Sequence, residues 1–169
     1  VAEVVTADLE RSGLFKVRPR DSYLQAAESL TSDSAVRYGD WRKIDTRALV
    51  TGRVTRAEDG RLRVAFKLYD VVGRQRLSGE TYIAGAGAWR RIAHIVADNI
   101  YRELTGEKGY FDSRIVYINK SGPRDDRTTR LAVMDQDGAN QRYLTDGDKL
   151  VMMPRFSPTT QEITYVAYI

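Results

Sequence analysis

Apolar residues recur along this chain with two different periods, and the change from one to the other divides it. Val1, Val4, Val5 and Leu9 fall at three- and four-residue steps, the spacing of one helical face, and Gly13 follows where a left-handed stop is needed. A helix over residues 1–12 is predicted. Leu14 to Val17 reads as a short strand closed by Pro19. Ser22 to Leu30 reads as a short helix broken at Thr31-Ser-Asp-Ser34, and Tyr38 to Ile44 as another around Trp41, a side chain expected to cover a core. The period then drops to two. Ala48 to Thr55 is β-branched and apolar, Glu58-Asp-Gly60 supplies a turn, and Arg61 to Asp70 alternates with Leu62, Val64, Phe66 and Leu68 on one face. Val72-Gly-Arg74 turns the chain into a third strand, Gln75 to Ile83. The expectation is an antiparallel meander with one dry and one wet face. Trp89, Ile92, Ala93, Val96, Ala97, Ile100 and Leu104 restore the helical period, and Gly106 stands where the cap belongs.

After Leu104 no helix-length period returns. Arg114 to Ile118, Arg130 to Met134 and Gln141 to Leu144 read as strands, separated by the polar loop Asn119 to Thr128 and an Asp137-Gly138 turn. Phe156-Ser-Pro158 then leads into Ile163 to Tyr168. A strand, an Asp-Gly turn, a strand ending in Leu144-Thr145 and a Phe-Ser-Pro turn form the repeating unit of a β-propeller blade. The unit occurs once, with the start of another. Blades stabilise one another by stacking round a ring, so the expectation is an incomplete propeller belonging to a larger protein. The predicted class is α+β. Residues 1–108 would be an N-terminal α+β domain, a mixed or antiparallel sheet packed by two main helices. Residues 109–169 would be the first blade and the start of the second.

Composition narrows the chemistry. The chain of 169 residues has no cysteine, which excludes thiol catalysis, disulfides and thiolate metal sites. No apolar run reaches the roughly 20 residues that cross a bilayer, and the start at Val1 shows no leader. The net charge of +4 comes from 27 basic against 23 acidic residues, and the pairs Arg18/Arg20, Arg53/Arg56, Arg61/Arg63 and Arg74/Arg76 fall on strands or turns. A basic sheet face is one way to hold RNA or anionic headgroups. No aromatic residues alternate with those arginines, and Glu58, Asp59, Asp70 and Glu80 dilute them, so a solvated surface is the favoured reading.

The titratable candidates are few. His94, the one histidine, is predicted on the flank of its helix one turn before Asp98, an imidazole and carboxylate spaced to pair. No Gly-x-Ser-x-Gly elbow supplies a nucleophile, and a structural helix pair is the favoured reading. Asp8 falls close to the apolar stripe of the first helix, turned toward a backbone donor or an arginine. Asp125-Asp126 and Asp135-Gln-Asp137-Gly138 faintly resemble calcium loops, but the twelfth position counted from Asp135 is Asp146 where the motif wants glutamate. Gly79, Gly85 and Gly87 make no phosphate fingerprint. No catalytic, cofactor-binding or metal-ligating residue is therefore expected.

Taken together, the helix ending Asp8-Leu9 with Ser12-Gly13 and Phe15, the strand Ala48-Leu-Val-Thr-Gly52, and the run Arg91-Ile-Ala-His94, Asp98, Ile100-Tyr101, Leu104-Thr-Gly106, Gly109, Phe111 resemble the TolB family. So do Asp135, Asp137-Gly138, Asn140, Leu144-Thr145 and Phe156-Ser-Pro158. The resemblance implies a soluble, non-catalytic periplasmic protein of the Gram-negative Tol–Pal cell-envelope system, an α+β domain followed by a six-bladed propeller. It further implies two partners, the peptidoglycan-associated lipoprotein Pal at the propeller and TolA at an extreme N-terminal segment, with roles in outer-membrane integrity, constriction at division and colicin import. The family's strand before the first helix and its TolA-binding segment have no counterpart here, so no partner-contact residue is carried over, and His94 and Asp98 take no catalytic role. No nucleic acid and no membrane insertion are expected. The alternatives are a propeller-gated serine peptidase whose elbow lies elsewhere, and a basic RNA-binding α+β module.

Overall fold

The computed structural model describes residues 1–168, and the chain falls into two units, Val1–Phe111 and Asp112–Ile169. Ile169, the last residue of the predicted blade region, lies outside the described residues. The division comes three residues later than the sequence expectation because Phe111 belongs to the first core, where it is fully buried.

The first unit is helices on an antiparallel sheet. Helix α1 (Ala2–Arg11) and helix α3 (Trp89–Thr105) pack together against strands β1 (Ala48–Arg56), β2 (Leu62–Asp70) and β3 (Gln75–Ala84), which run in the order β1-β2-β3. Strict alternation on β2 decides which face is covered: Val64, Phe66 and Leu68 are buried against Val4, Val5 and Leu9 of α1 and Ile92, Ala93, Val96, Ala97 and Ile100 of α3. Each such aliphatic or aromatic side chain contributes on the order of 1.5–3 kcal/mol on burial. Both hairpin turns follow from local chemistry. Gly60 sits at φ +78° between β1 and β2, where Asp59 accepts from the Arg61 amide, and Asp70 accepts from the amides of Val72 and Gly73 between β2 and β3.

A second, smaller core forms on the opposite face of the same sheet. Helix α2 (Tyr38–Lys43) sets Trp41, 3% exposed, against Val36, Leu49, Tyr69 and Val71. Two expectations fail in the segment leading to it. Leu14 to Val17 joins no ladder among the described residues, and without a hydrogen-bonding neighbour its apolar pattern makes no strand. Ser22 to Leu30 is not an α-helix: single 3₁₀ turns at Arg20–Ser22 and Ala27–Ser29 flank a stretch that bends at Leu24 and Gln25. Its few apolar residues do not make the stripe that tertiary packing needs to hold a short helix.

The second unit is all-β. Strands β4 (Arg114–Ser121), β5 (Thr128–Asp135) and β6 (Arg142–Tyr143) form one antiparallel sheet, and β7 (Leu150–Phe156) pairs with β8 (Ile163–Tyr168) in another. Leu131, Ala132 and Val133 of β5 and Val151 of β7 are buried. The buried Thr129 hydroxyl ties the two sheets, accepting from the Val151 amide at 2.9 Å and donating to the Lys149 carbonyl at 3.4 Å. Met153, at φ +55°, and Pro154 make an irregularity in β7 where the register to β8 shifts. No helix among the described residues is long and apolar enough to cross a membrane.

Candidate functional site

Each sequence-predicted candidate has a definite place, and most are consumed by the fold. His94 is not on an exposed flank paired with Asp98. It is 2% exposed, and its Nδ1 lies 2.6 Å from Oδ2 of Asp8, itself fully buried, so the imidazole and carboxylate link α3 to α1 across 86 residues of sequence. Oδ1 of Asp8 accepts from Arg11 one turn further along α1 at 3.2 Å, the arginine partner the helix spacing predicts. The periodicity of one helix cannot show a partner on another, which is why Asp98 was the residue in view.

Asp98 instead serves the chain that leaves α3. The helix ends on Gly106 in the left-handed conformation, φ +79°, its amide donating to the Arg102 carbonyl at 2.8 Å. The chain then turns back so closely that a Cβ on Gly109 would stand 2.6 Å from the Asp98 Cα, a separation only glycine tolerates. Oδ1 of Asp98 accepts from the Phe111 amide at 2.7 Å, and the Phe111 ring drops edge-on against Tyr101 at 5.8 Å between centroids. Leu104-Thr-Gly106, Gly109 and Phe111 are thus a device for ending α3 and turning the chain out of the first unit.

The outer sheet face carries a constellation that the sequence did not reveal. Asp33, on a loop turn, receives Lys67 Nζ at 2.6 Å and the Tyr69 hydroxyl at 3.0 Å on one oxygen, and an Arg76 guanidinium nitrogen at 2.8 Å on the other. The Lys67 bond, then the Tyr69 bond, hold its carboxyl below the ordinary value near 3.8, while Asp33 raises Lys67 and burial followed by Asp33 raises Tyr69. A carboxylate held low stabilises the fold fully above its unfolded value, and that contribution disappears as pH falls through the lower folded value. The stability difference between the chain and an Asp33→Asn variant is therefore expected to be constant above about pH 5 and to close in acid below about pH 4. Urea titrations across that range measure it, and a difference unchanged down to about pH 2 contradicts the assignment.

The other arginines divide. Arg18 reaches Asp45 and Arg61 reaches Asp59, both exposed ion pairs of small worth, whereas Arg53 and Arg63 on the same outer face meet no carboxylate among the described residues. On the dry side, burial and then a hydrogen bond to Glu80 drive the Tyr82 hydroxyl above the ordinary phenol range; it also accepts from Asn99 on α3. The sequence contained these residues but not their adjacency, since Asp33 stands 34 and 43 positions from its two basic partners.

In the second unit the acidic runs build turns. Gly138 takes φ +85°, Asp137 accepts from the Ala139 amide at 3.0 Å, and Asp135 accepts from the Asn140 side chain at 2.6 Å, so these carboxylates work as turn residues. Thr145 Oγ1 accepts from the Leu131 amide at 2.9 Å, and Arg130 lies over the Tyr143 ring at 5.3 Å while bonding the Asp146 carbonyl. Ser157 Oγ accepts from the amides of Thr159 and Thr160 in the Phe-Ser-Pro turn. Asp137, Gly138, Thr145 and Ser157 of the blade repeat thus each shape the backbone of a turn or strand end.

Comparison with known proteins is consistent along the chain. The profile of the TolB amino-terminal domain matches residues 1–77, and that of the TolB beta propeller domain matches residues 101–169. The Tol-Pal system protein TolB of Paramagnetospirillum magneticum is 52% identical over 168 residues, which cover 99% of this chain and 37% of that relative. The crystal structure of TolB from Acinetobacter baumannii aligns with a TM-score of 0.84 at 30% identity, covering 99% of this chain and 40% of that one. The chain thus spans under half the length of these relatives.

Proposed function

The chain belongs to the TolB family, and from that premise we propose that it is part of a non-catalytic periplasmic adaptor. The adaptor binds Pal through its propeller and TolA through its N-terminal region, and so helps hold the outer membrane and constrict it at division. The single observation that carries this reading is the direct sequence of an α+β unit, the Leu104-Thr-Gly106 to Phe111 exit and a propeller strand repeat, an order that matches the family along 99% of the chain. The chemistry of the interior supports it. Asp8, Gln25, Asn99 and Thr129, four of the buried polar side chains, are each hydrogen-bonded within their own unit, as structural polar groups are.

Surfaces rather than reacting groups are then the working parts, and the region before α1 and the remainder of the propeller carry the partner contacts. Titrating Pal into the longer protein that contains this chain is expected to give saturable heat with one Pal per protein. No heat and no co-elution at micromolar concentrations would refute the adaptor reading. Hydrolysis of a peptide substrate by the same protein, abolished by a serine-directed inhibitor, would favour the peptidase alternative instead.

A further inference from the structure

The outer face of the β1-β2-β3 sheet is half neutralised and half open. Its neutralised half shows what the face holds. There Asp33 brings one carboxylate onto Lys67, Tyr69 and Arg76 at the surface, and Tyr69 also belongs to the small core with Trp41, Leu49 and Val71. Beyond the Lys67 rung the register sets two further rungs toward the Gly60 turn: Arg53, Ala65 and Thr81; and Thr55, Arg63 and Ile83. Arg53, Thr55, Arg63, Thr81 and Ile83 are all exposed. The basic row therefore continues past Asp33, but its last two cations meet no carboxylate among the described residues.

We propose that this open half, centred on Arg53 and Arg63, docks an acidic, extended peptide segment of a partner protein. Arg53 and Arg63 are diagonal neighbours on adjacent antiparallel strands, their backbone positions about 7–8 Å apart. Alternate side chains on one face of an extended peptide repeat at about 6.6–6.8 Å, so two carboxylates at i and i+2 match the two guanidiniums. Ala65, opposite Arg53 and in register with Thr81, leaves a low floor between them. The exposed Thr55 and Thr81 hydroxyls lie within the same strip to bond a carboxylate or a peptide amide. Two like charges set this close gain nothing from each other, and an incoming carboxylate pair removes the repulsion as it gains forked hydrogen bonds.

Peptide carboxylates fit this face better than its other anionic prospects. No aromatic ring stands on the exposed rungs to stack a nucleobase, and Ile83 alone offers apolar area to a bilayer. The site needs neither Pal nor TolA and goes beyond the adaptor reading, so it stands or falls separately from it.

Anisotropy of a fluorescein-labelled extended peptide alternating Glu and Thr, titrated with the longer protein that contains this chain at about 20 mM and about 200 mM salt, tests the site. Saturable binding at low salt is expected, weakened at high salt and weakened about tenfold more by the pair Arg53→Gln and Arg63→Gln. Arg74→Gln, on an exposed turn away from the strip, is expected to leave it unchanged. Melting curves of all variants should overlay, because the substituted side chains are exposed. The proposal is overturned by absence of saturation, by equal weakening from Arg74→Gln, or by an RNA oligonucleotide or phosphatidylglycerol vesicles binding as tightly with the same arginine dependence.

Discussion

Replacing Asp8 with alanine is expected to lower the unfolding free energy of the first unit by roughly 1–3 kcal/mol, the range for leaving a buried hydrogen-bonding group without its partner. The carboxylate is fully buried, so nothing in solvent replaces it for the His94 imidazole 2.6 Å away, and the Arg11 hydrogen bond to Oδ1 is lost in the same step. The link joins α1 to α3, the two helices whose apolar faces make the main core, so its loss loosens the packing between them. Both tryptophans, Trp41 and Trp89, lie in this unit, and their fluorescence in urea follows it alone. A cycle with His94→Ala is expected to give a coupling of roughly 1–3 kcal/mol, as for residues in direct contact. A cost below about 1 kcal/mol for Asp8→Ala would show that the pair is dispensable.

The second large effect is expected at Gln25, a residue with no catalytic or motif association. Its carboxamide is 2% exposed and uses both ends: Oε1 accepts from the Arg37 amide and the Trp41 indole, each at 3.0 Å, and Nε2 donates to the Ala35 carbonyl at 2.7 Å and Ser29 Oγ at 3.2 Å. Gln25→Leu keeps the volume and removes every one of these bonds. An indole N–H, an amide and a carbonyl are left in a closed pocket, each costing on the order of 1–3 kcal/mol. Because the segment packs on the smaller core only, the damage is expected to stay local. Hydrogen exchange at the Arg37 amide should accelerate by roughly a hundredfold or more while the α3 amides keep their protection, and Trp41 emission should shift to the red. Unchanged exchange at Arg37 would contradict the account.

The two effects also show where reading the sequence stops. Both involve residues joined over long separations, 86 positions for Asp8 and His94 and 16 for Gln25 and Trp41. Neither pair leaves a periodic trace. The elements that were legible are those whose signal is local: α3, with seven apolar positions on one stripe and Gly106 behind it; β2, with strict alternation; and the blade, whose Asp137-Gly138 and Ser157-Pro158 turns are shaped by hydrogen bonds within a few residues. Leu14 to Val17 and Ser22 to Leu30 went wrong for the converse reason. Short segments with weak patterns take their conformation from what they lie against, and no local signal states that.

Sequence alone determined the order of the parts: an α+β unit, a glycine-punctuated exit and a propeller strand repeat, together with the absence of thiol chemistry. Those properties follow from period, turn chemistry and composition, which are fixed by neighbours a few positions apart. Only the tertiary structure decided that His94 answers Asp8 and not Asp98, that Asp33 gathers Lys67, Tyr69 and Arg76, and that Arg53 and Arg63 continue the same row uncapped. Burial and charge pairing are set by which surfaces meet when helices close on a sheet, and that meeting is a property of the whole packed unit.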